Sequence, residues 1–192
     1  MPTRPKKCYR NADGPAYTQQ KYIRGMPSVP SGLSHLSYGN SKADFAGRVK
    51  LVVMRDGQIS AESLESARVF MVRHLQALNP ERYSFRIKVL PFQVNRMHGL
   101  VGVAKAERFS KGMRLGFGKT ISRGARVKKG TVIMEALIPD EAFSFQVTRQ
   151  AFVGVTKKLS FQYKIEHEGF SAANVQTHVV IPKVTTAKKE TK

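Results

Sequence analysis

Tyr83-Ser84-Phe85-Arg86-Ile87-Lys88-Val89 alternates apolar and polar side chains without a break. A period of two is the pattern of a strand with one wet face. It sets Tyr83, Phe85, Ile87 and Val89 against a core and turns Arg86 and Lys88 outward. A strand of a doubly wound parallel sheet would be apolar on both faces. Short alternations of this kind favour an α+β fold, two helices packed on a mostly antiparallel sheet.

The flanking sequence supplies the other layers. Arg48-Val49-Lys50-Leu51-Val52-Val53 reads as a strand and Asp56-Gly57 as a turn. Ser60 is placed to cap a helix in which Leu64, Ala67, Met71, His74 or Leu75, and Leu78 recur at helical spacing. His74 sits near that apolar face, as a satisfied core or boundary histidine. Glu62 and Glu65 early, with Arg68 and Arg73 late, complement the helix dipole, and Asn79-Pro80 stops the helix. Thr131–Leu137 reads as a further strand. A second helix is expected from Pro139 with Asp140 and Glu141 in its first turn, its inward face carrying Ala142, Phe145, Ala151 or Phe152, Val155 and Leu159. Phe161–Ile165 reads as a last strand. Pro91 to Gly130 is expected to be irregular, with short strands such as Leu100–Ala104 inside it.

The 192 residues are long enough for one core plus extensions, and the hydrophobic fraction of 41% fits a core with partner-bound arms. Three parts are expected: an extended basic arm over 1–44, an α+β core over 45–168 with an inserted loop over 92–118, and a polar, basic, flexible tail over 169–192. Proline and glycine punctuate the arm every few residues and block regular helix. Its cations (Arg4, Lys6, Lys7, Arg10, Lys21, Arg24) are interleaved with Tyr9, Tyr17 and Tyr22. Such an arm can track phosphates and stack on unpaired bases; a plain disordered tail is the alternative.

A net charge of +20 makes an isolated compact chain repel itself and calls for a polyanionic partner. No stretch approaches the ~20 apolar residues of a spanning helix. The basic start has no apolar run behind it, so no signal peptide is expected. Both helices turn their apolar faces to the core, which leaves none for a membrane surface. The single Cys8 excludes an internal disulfide. An intracellular, cytoplasmic protein bound to nucleic acid is the expectation. RNA is favoured over DNA because the cations sit on loops and strands and no basic recognition helix is present.

The densest basic segment is Lys111–Gly130, KGMRLGFGKTISRGARVKKG, with seven Lys or Arg, five Gly and no acid. Glycine lets the backbone approach phosphates while each cation displaces a counterion. Gly116-Phe117-Gly118-Lys119-Thr120 invites a nucleotide-loop reading, which fails on register. The required first Gly is Met113, and no helix is expected to follow. The histidines (35, 74, 98, 167 and 178) show no metal-ligand spacing. Asp140/Glu141 fits a helix start and Glu166/Glu168 a solvated turn, so acid–base chemistry is unsupported. No catalytic residue, metal or cofactor is expected. The rival functions are an RNA-processing or tRNA-modifying enzyme, and a free-standing architectural RNA binder.

Several blocks resemble one family. Met1–Arg10, Tyr17-Thr18 and Lys21-Tyr22-Ile23-Arg24-Gly25 look like the N-terminal arm of the archaeal and eukaryotic large-subunit ribosomal protein L-ten-e family, the counterpart of bacterial L-sixteen. Gly57-Gln58-Ile59, Glu65-Ser66-Ala67-Arg68, Arg86–Phe92, Gly112-Met113-Arg114, Phe117-Gly118-Lys119 and Ala125-Arg126-Val127 continue the likeness in order over about residues 1–165. It departs from the family pattern at Thr120–Gly124 and at Lys158-Leu159-Ser160. The resemblance implies an α/β-hammerhead-like sandwich, two helices against a mixed sheet. It implies a structural constituent of the large ribosomal subunit that binds large-subunit rRNA and helps organise the tRNA-binding and peptidyl-transferase region. The implied partners are that rRNA, tRNA in the aminoacyl and peptidyl sites, and neighbouring ribosomal proteins. The candidate rRNA contacts are Arg4, Lys6, Lys7, Arg10, Lys21, Arg24, Arg86, Lys88, Lys111, Arg114, Lys119, Arg123, Arg126 and Lys128. A loop from Arg96 to Ser110, with Arg96, Met97, His98, Lys105 and Arg108, is implied to point toward the tRNA sites.

Overall fold

The computed structural model describes residues 15–98 and 117–171. Eight strands and two helices follow one another as β1 (Ser37–Gly39), β2 (Gly47–Val53), β3 (Gly57–Ser60), α1 (Ala61–Leu75), β4 (Ser84–Ile87), β5 (Gln93–Met97), β6 (Lys119–Val127), β7 (Val132–Ile138), α2 (Ala142–Thr156) and β8 (Tyr163–Glu168). Every ladder between them is antiparallel. The strands divide into a five-stranded sheet, β1-β4-β7-β2-β8, and a three-stranded sheet, β3-β6-β5. The expected α+β class is the observed one, with the strands shared between two sheets and no parallel pair among the described residues.

One core joins these layers. Val49, Leu51 and Val53 of β2, Phe85 and Ile87 of β4, and Met134, Ala136 and Ile138 of β7 line the inner face of the larger sheet. Leu64, Ala67, Met71 and Leu75 of α1 and Phe145, Ala151, Phe152 and Val155 of α2 pack into the same cluster. Ile59, Ala125 and Val127 bring the smaller sheet to it. Each buried Leu, Ile or Phe side chain stabilises by about 1.5–3 kcal/mol relative to exposure. The alternation at 83–89 is realised as read: Tyr83, Phe85 and Ile87 are buried while Arg86 and Lys88 are exposed. The cap is realised too, since the Ser63 amide donates to Ser60 Oγ at 3.1 Å. His74 is satisfied at the boundary, its Nδ1 2.9 Å from the Phe70 carbonyl and its ring stacked on Phe70.

Four local readings change. The second helix begins at Ala142 rather than Pro139, with Glu141 as its extended N-cap residue. The fixed φ of proline fits extended backbone as well as a first helical turn, and β7 runs extended to Ile138 before it. Glu166 and Glu168 lie on β8, not in a solvated turn. The described strands of the 91–130 segment are β5 and β6 near its two ends, paired from Gln93↔Gly124 to Met97↔Lys119. Residues 169–171 are anchored. The Phe170 ring sits over Gly47 and 4.8 Å from that of Phe145, and the Ser171 amide donates to Asp140. The expected Leu100–Ala104 strand lies outside the described residues.

Candidate nucleic-acid interface

The arm from Pro15 onward is tied across the smaller sheet. The Tyr17 amide donates to Gln93 Oε1 at 2.7 Å, and the Val94 amide donates to the Tyr17 carbonyl at 2.9 Å. Arg96 donates to the Tyr17 hydroxyl and lies 4.8 Å from its ring centroid. Further along, Thr120 Oγ1 donates to the Gly25 carbonyl at 2.7 Å and Arg123 Nε to that of Pro27, also at 2.7 Å. Ile23 is buried between these ties. Side chains of β5 and β6 therefore satisfy arm backbone groups that proline and glycine keep out of any helix. A second clasp holds Leu33 to Tyr38. Arg68 donates to Glu65 and to the Tyr38 hydroxyl, which donates to the Gly32 carbonyl at 2.8 Å. The Glu65 carboxylate holds the Arg68 pKa above its ordinary value.

The ties leave the cations outside. Lys21, Arg24, Arg96 and Lys119 are all exposed around the strapped edge. Tyr22 and Phe117 are exposed at 67% and 92%, and Lys21 Nζ lies 5.7 Å from the Tyr22 ring centroid. Cations interleaved with open aromatic faces suit a phosphate backbone with unpaired bases. The stems of the segment between β5 and β6 stand side by side at Met97 and Lys119. Gly118 makes this approach possible: its φ is +79° and a Cβ there would lie 2.7 Å from the Met97 carbonyl carbon. A strand follows it, so the nucleotide-loop geometry is absent.

The remaining sequence-predicted residues fall elsewhere. Arg86 and Lys88 lie on the outer face of the five-stranded sheet, where Lys88 is ion-paired with Glu135. Lys128 is exposed in the turn between β6 and β7. Arg123 is half-buried as an arm tether, and Arg126 is half-buried opposite Gln58 with interactions of its own. Met97 and His98 are half-buried at the end of β5. Arg4, Lys6, Lys7, Arg10, Lys105, Arg108, Lys111 and Arg114 lie outside the described residues. Sequence reasoning passed over Arg48 and Lys50, although their alternation matches that of Arg86 and Lys88. It also passed over Lys164, and over Thr120 as an arm anchor, for which there was no local signal.

The carboxylates of β8 and of the second helix start are committed to structure. Glu168 accepts from Lys50 at 2.7 Å, a contact that lowers its pKa, and Glu166 pairs with Lys164 at 3.0 Å. Glu141 pairs with Arg82. No helix among the described residues is long and apolar enough to cross a membrane.

An α+β scaffold with a basic strap sewn across one sheet defines a basic binding protein. A profile of the family described as ribosomal protein L16p/L10e matches residues 12–166. The chain is similar to large ribosomal subunit protein uL16 of Methanococcus aeolicus, 44% identical over 70% of this chain and 77% of the relative. It is similar to the uL16 of Thermofilum pendens at 35% over 86% and 96%, and to that of Staphylothermus marinus at 37% over 73% and 80%. The chain belongs to the ribosomal protein L16p/L10e family.

Proposed function

We propose that this protein acts as a structural constituent of the large ribosomal subunit by binding large-subunit rRNA through its strapped edge, with no covalent chemistry. Membership of a ribosomal protein family carries the ribosomal role and speaks for no enzyme. The observation that supports the site is the convergence of two segments far apart in sequence. Thr120 and Arg123 hold the backbone at Gly25 and Pro27, so arm and β6 cations present one surface. The strap holds these charges at fixed spacing, which lowers the ordering cost of engaging closely packed phosphates.

The finer reading follows the family resemblance. The segment whose stems are Met97 and Lys119 reaches toward the aminoacyl and peptidyl tRNA sites, neighbouring ribosomal proteins adjoin it, and the particle is cytoplasmic. Replacing Lys21, Arg24 and Lys119 together by Ala tests the site. Co-sedimentation with large subunits at moderate salt should fall, and the salt slope of rRNA binding should shrink by ~0.7–0.9 per lost phosphate contact. Unchanged occupancy, with a far-ultraviolet spectrum like that of the parent, would remove the strapped edge from the interface.

A further inference from the structure

We propose that the outer face of the five-stranded sheet is a second RNA-binding surface, with Glu135 as the residue that positions its cations. The RNA class of the ligand rests on the ribosomal reading above; the surface itself rests on sheet geometry. Since Val49, Leu51, Met134, Ala136, Phe85 and Ile87 face the core, their alternating neighbours face the other way. In register across three strands stand Lys50, Glu135 and Arg86. Strands lie ~4.8 Å apart, so Lys50 and Arg86 are mounted ~10 Å apart with one carboxylate between them.

Glu135 is only 6% exposed, beneath its cations. Arg48 Nε lies 3.1 Å from one of its oxygens and Lys88 is paired with the other. At the β8 edge Lys50 is held by Glu168 and Lys164 by Glu166. Five cations thus stand over three carboxylates. Arg86, exposed on β4 beside Glu135, has no ion-pair partner among the described residues. Each carboxylate fixes a long side chain that would otherwise lose rotamer freedom on binding, so the face is pre-organised for anions.

A phosphate backbone fits this face better than a protein does. Its apolar side chains are Val52 and Leu137, both half-buried, and neither is a large exposed hydrophobic. A protein interface needs a desolvated apolar centre, which this lattice of charges lacks. The face lies across the core from the helices and apart from the strapped smaller sheet, so the protein can touch two RNA segments at once.

Lysine acetylation by a solvent-borne reagent, quantified by mass spectrometry in free protein and in large subunits containing it, tests this. Lys88 and Lys164 should be protected about ten-fold or more in the particle and regain reactivity after RNase digestion. Protection of Lys21 and Lys119 with Lys88 and Lys164 still reactive would overturn the inference and leave the strapped-edge reading standing. Protection that survives RNase would assign the face to a protein neighbour and overturn it equally. No protection at either patch would sink both. In parallel, Arg86→Ala with Lys164→Ala should lower the salt slope of binding to purified large-subunit rRNA by about 1.4–1.8, from two lost contacts. An unchanged slope in a folded variant counts against the proposal.

Discussion

Glu135 shows how much a single residue can depend on its cross-strand neighbours. Its carboxylate is buried, while the side chains of Arg48 and Lys88 are 46% and 42% exposed. The two ways of breaking the cluster are therefore unequal. Glu135→Gln leaves two cations that water can solvate and should cost about 1 kcal/mol. Arg48→Met together with Lys88→Met leaves a buried carboxylate uncompensated and should cost about 3–5 kcal/mol. Urea unfolding of both variants compares them, and a costlier Glu135→Gln would contradict the assigned burial. Arg86 and Lys88 were legible as outward residues because alternation needs only local geometry. Glu135 was not, because its neighbours Val132 to Ile138 are apolar on both sides of it and nothing nearby names its partners.

Among the elements, the strap is held by few interactions and should open first. Thr120→Val removes the hydroxyl that donates to Gly25, and Arg123→Met removes the donor to Pro27. At about 1 kcal/mol per hydrogen bond, the pair should raise the detached population roughly thirty-fold. Tryptic cleavage after Lys21 and Arg24 follows that population when opening is fast. Equal cleavage rates in parent and double variant would show that the Thr120 and Arg123 bonds do not hold the strap. Strands β2, β4, β7 and β8 and helix α1 were legible because their periodicity and caps are local, whereas β1, inside the stretch read as an arm, was not. β5 and β6 were hidden. Val94-Asn95-Arg96 and Thr120-Ile121-Ser122-Arg123 bury polar side chains such as Asn95 and Ser122, which no apolar count marks as strand.

For the whole molecule, alkaline pH is the revealing perturbation. Burial pushes the phenols of Tyr163 and Tyr83 above their ordinary value, strongly at Tyr163, where the Phe161 backbone opposes it. A group whose pKa is raised by folding contributes stability that is intact below the unfolded value of about 10 and is lost as pH rises past it. The unfolding free energy should hold to about pH 10 and then fall, by at most about 1.4 kcal/mol per pH unit for each phenol. Tyr83→Phe with Tyr163→Phe should flatten that fall; an equally steep loss in the double variant would assign it to other groups. By itself the sequence determined the α+β class, the basic and RNA-seeking character, the outward Arg86 and Lys88, and the resemblance that the family match upholds. The first three follow from charge, period and spacing, which are properties of neighbouring residues; the resemblance rests on matched blocks of sequence. Only the tertiary structure decided that the strands form two sheets, that Lys119–Val127 is a strand, and that the arm is sewn to Thr120 and Arg123. Each depends on hydrogen bonds between segments tens of residues apart, whose partners are set by how the chain packs.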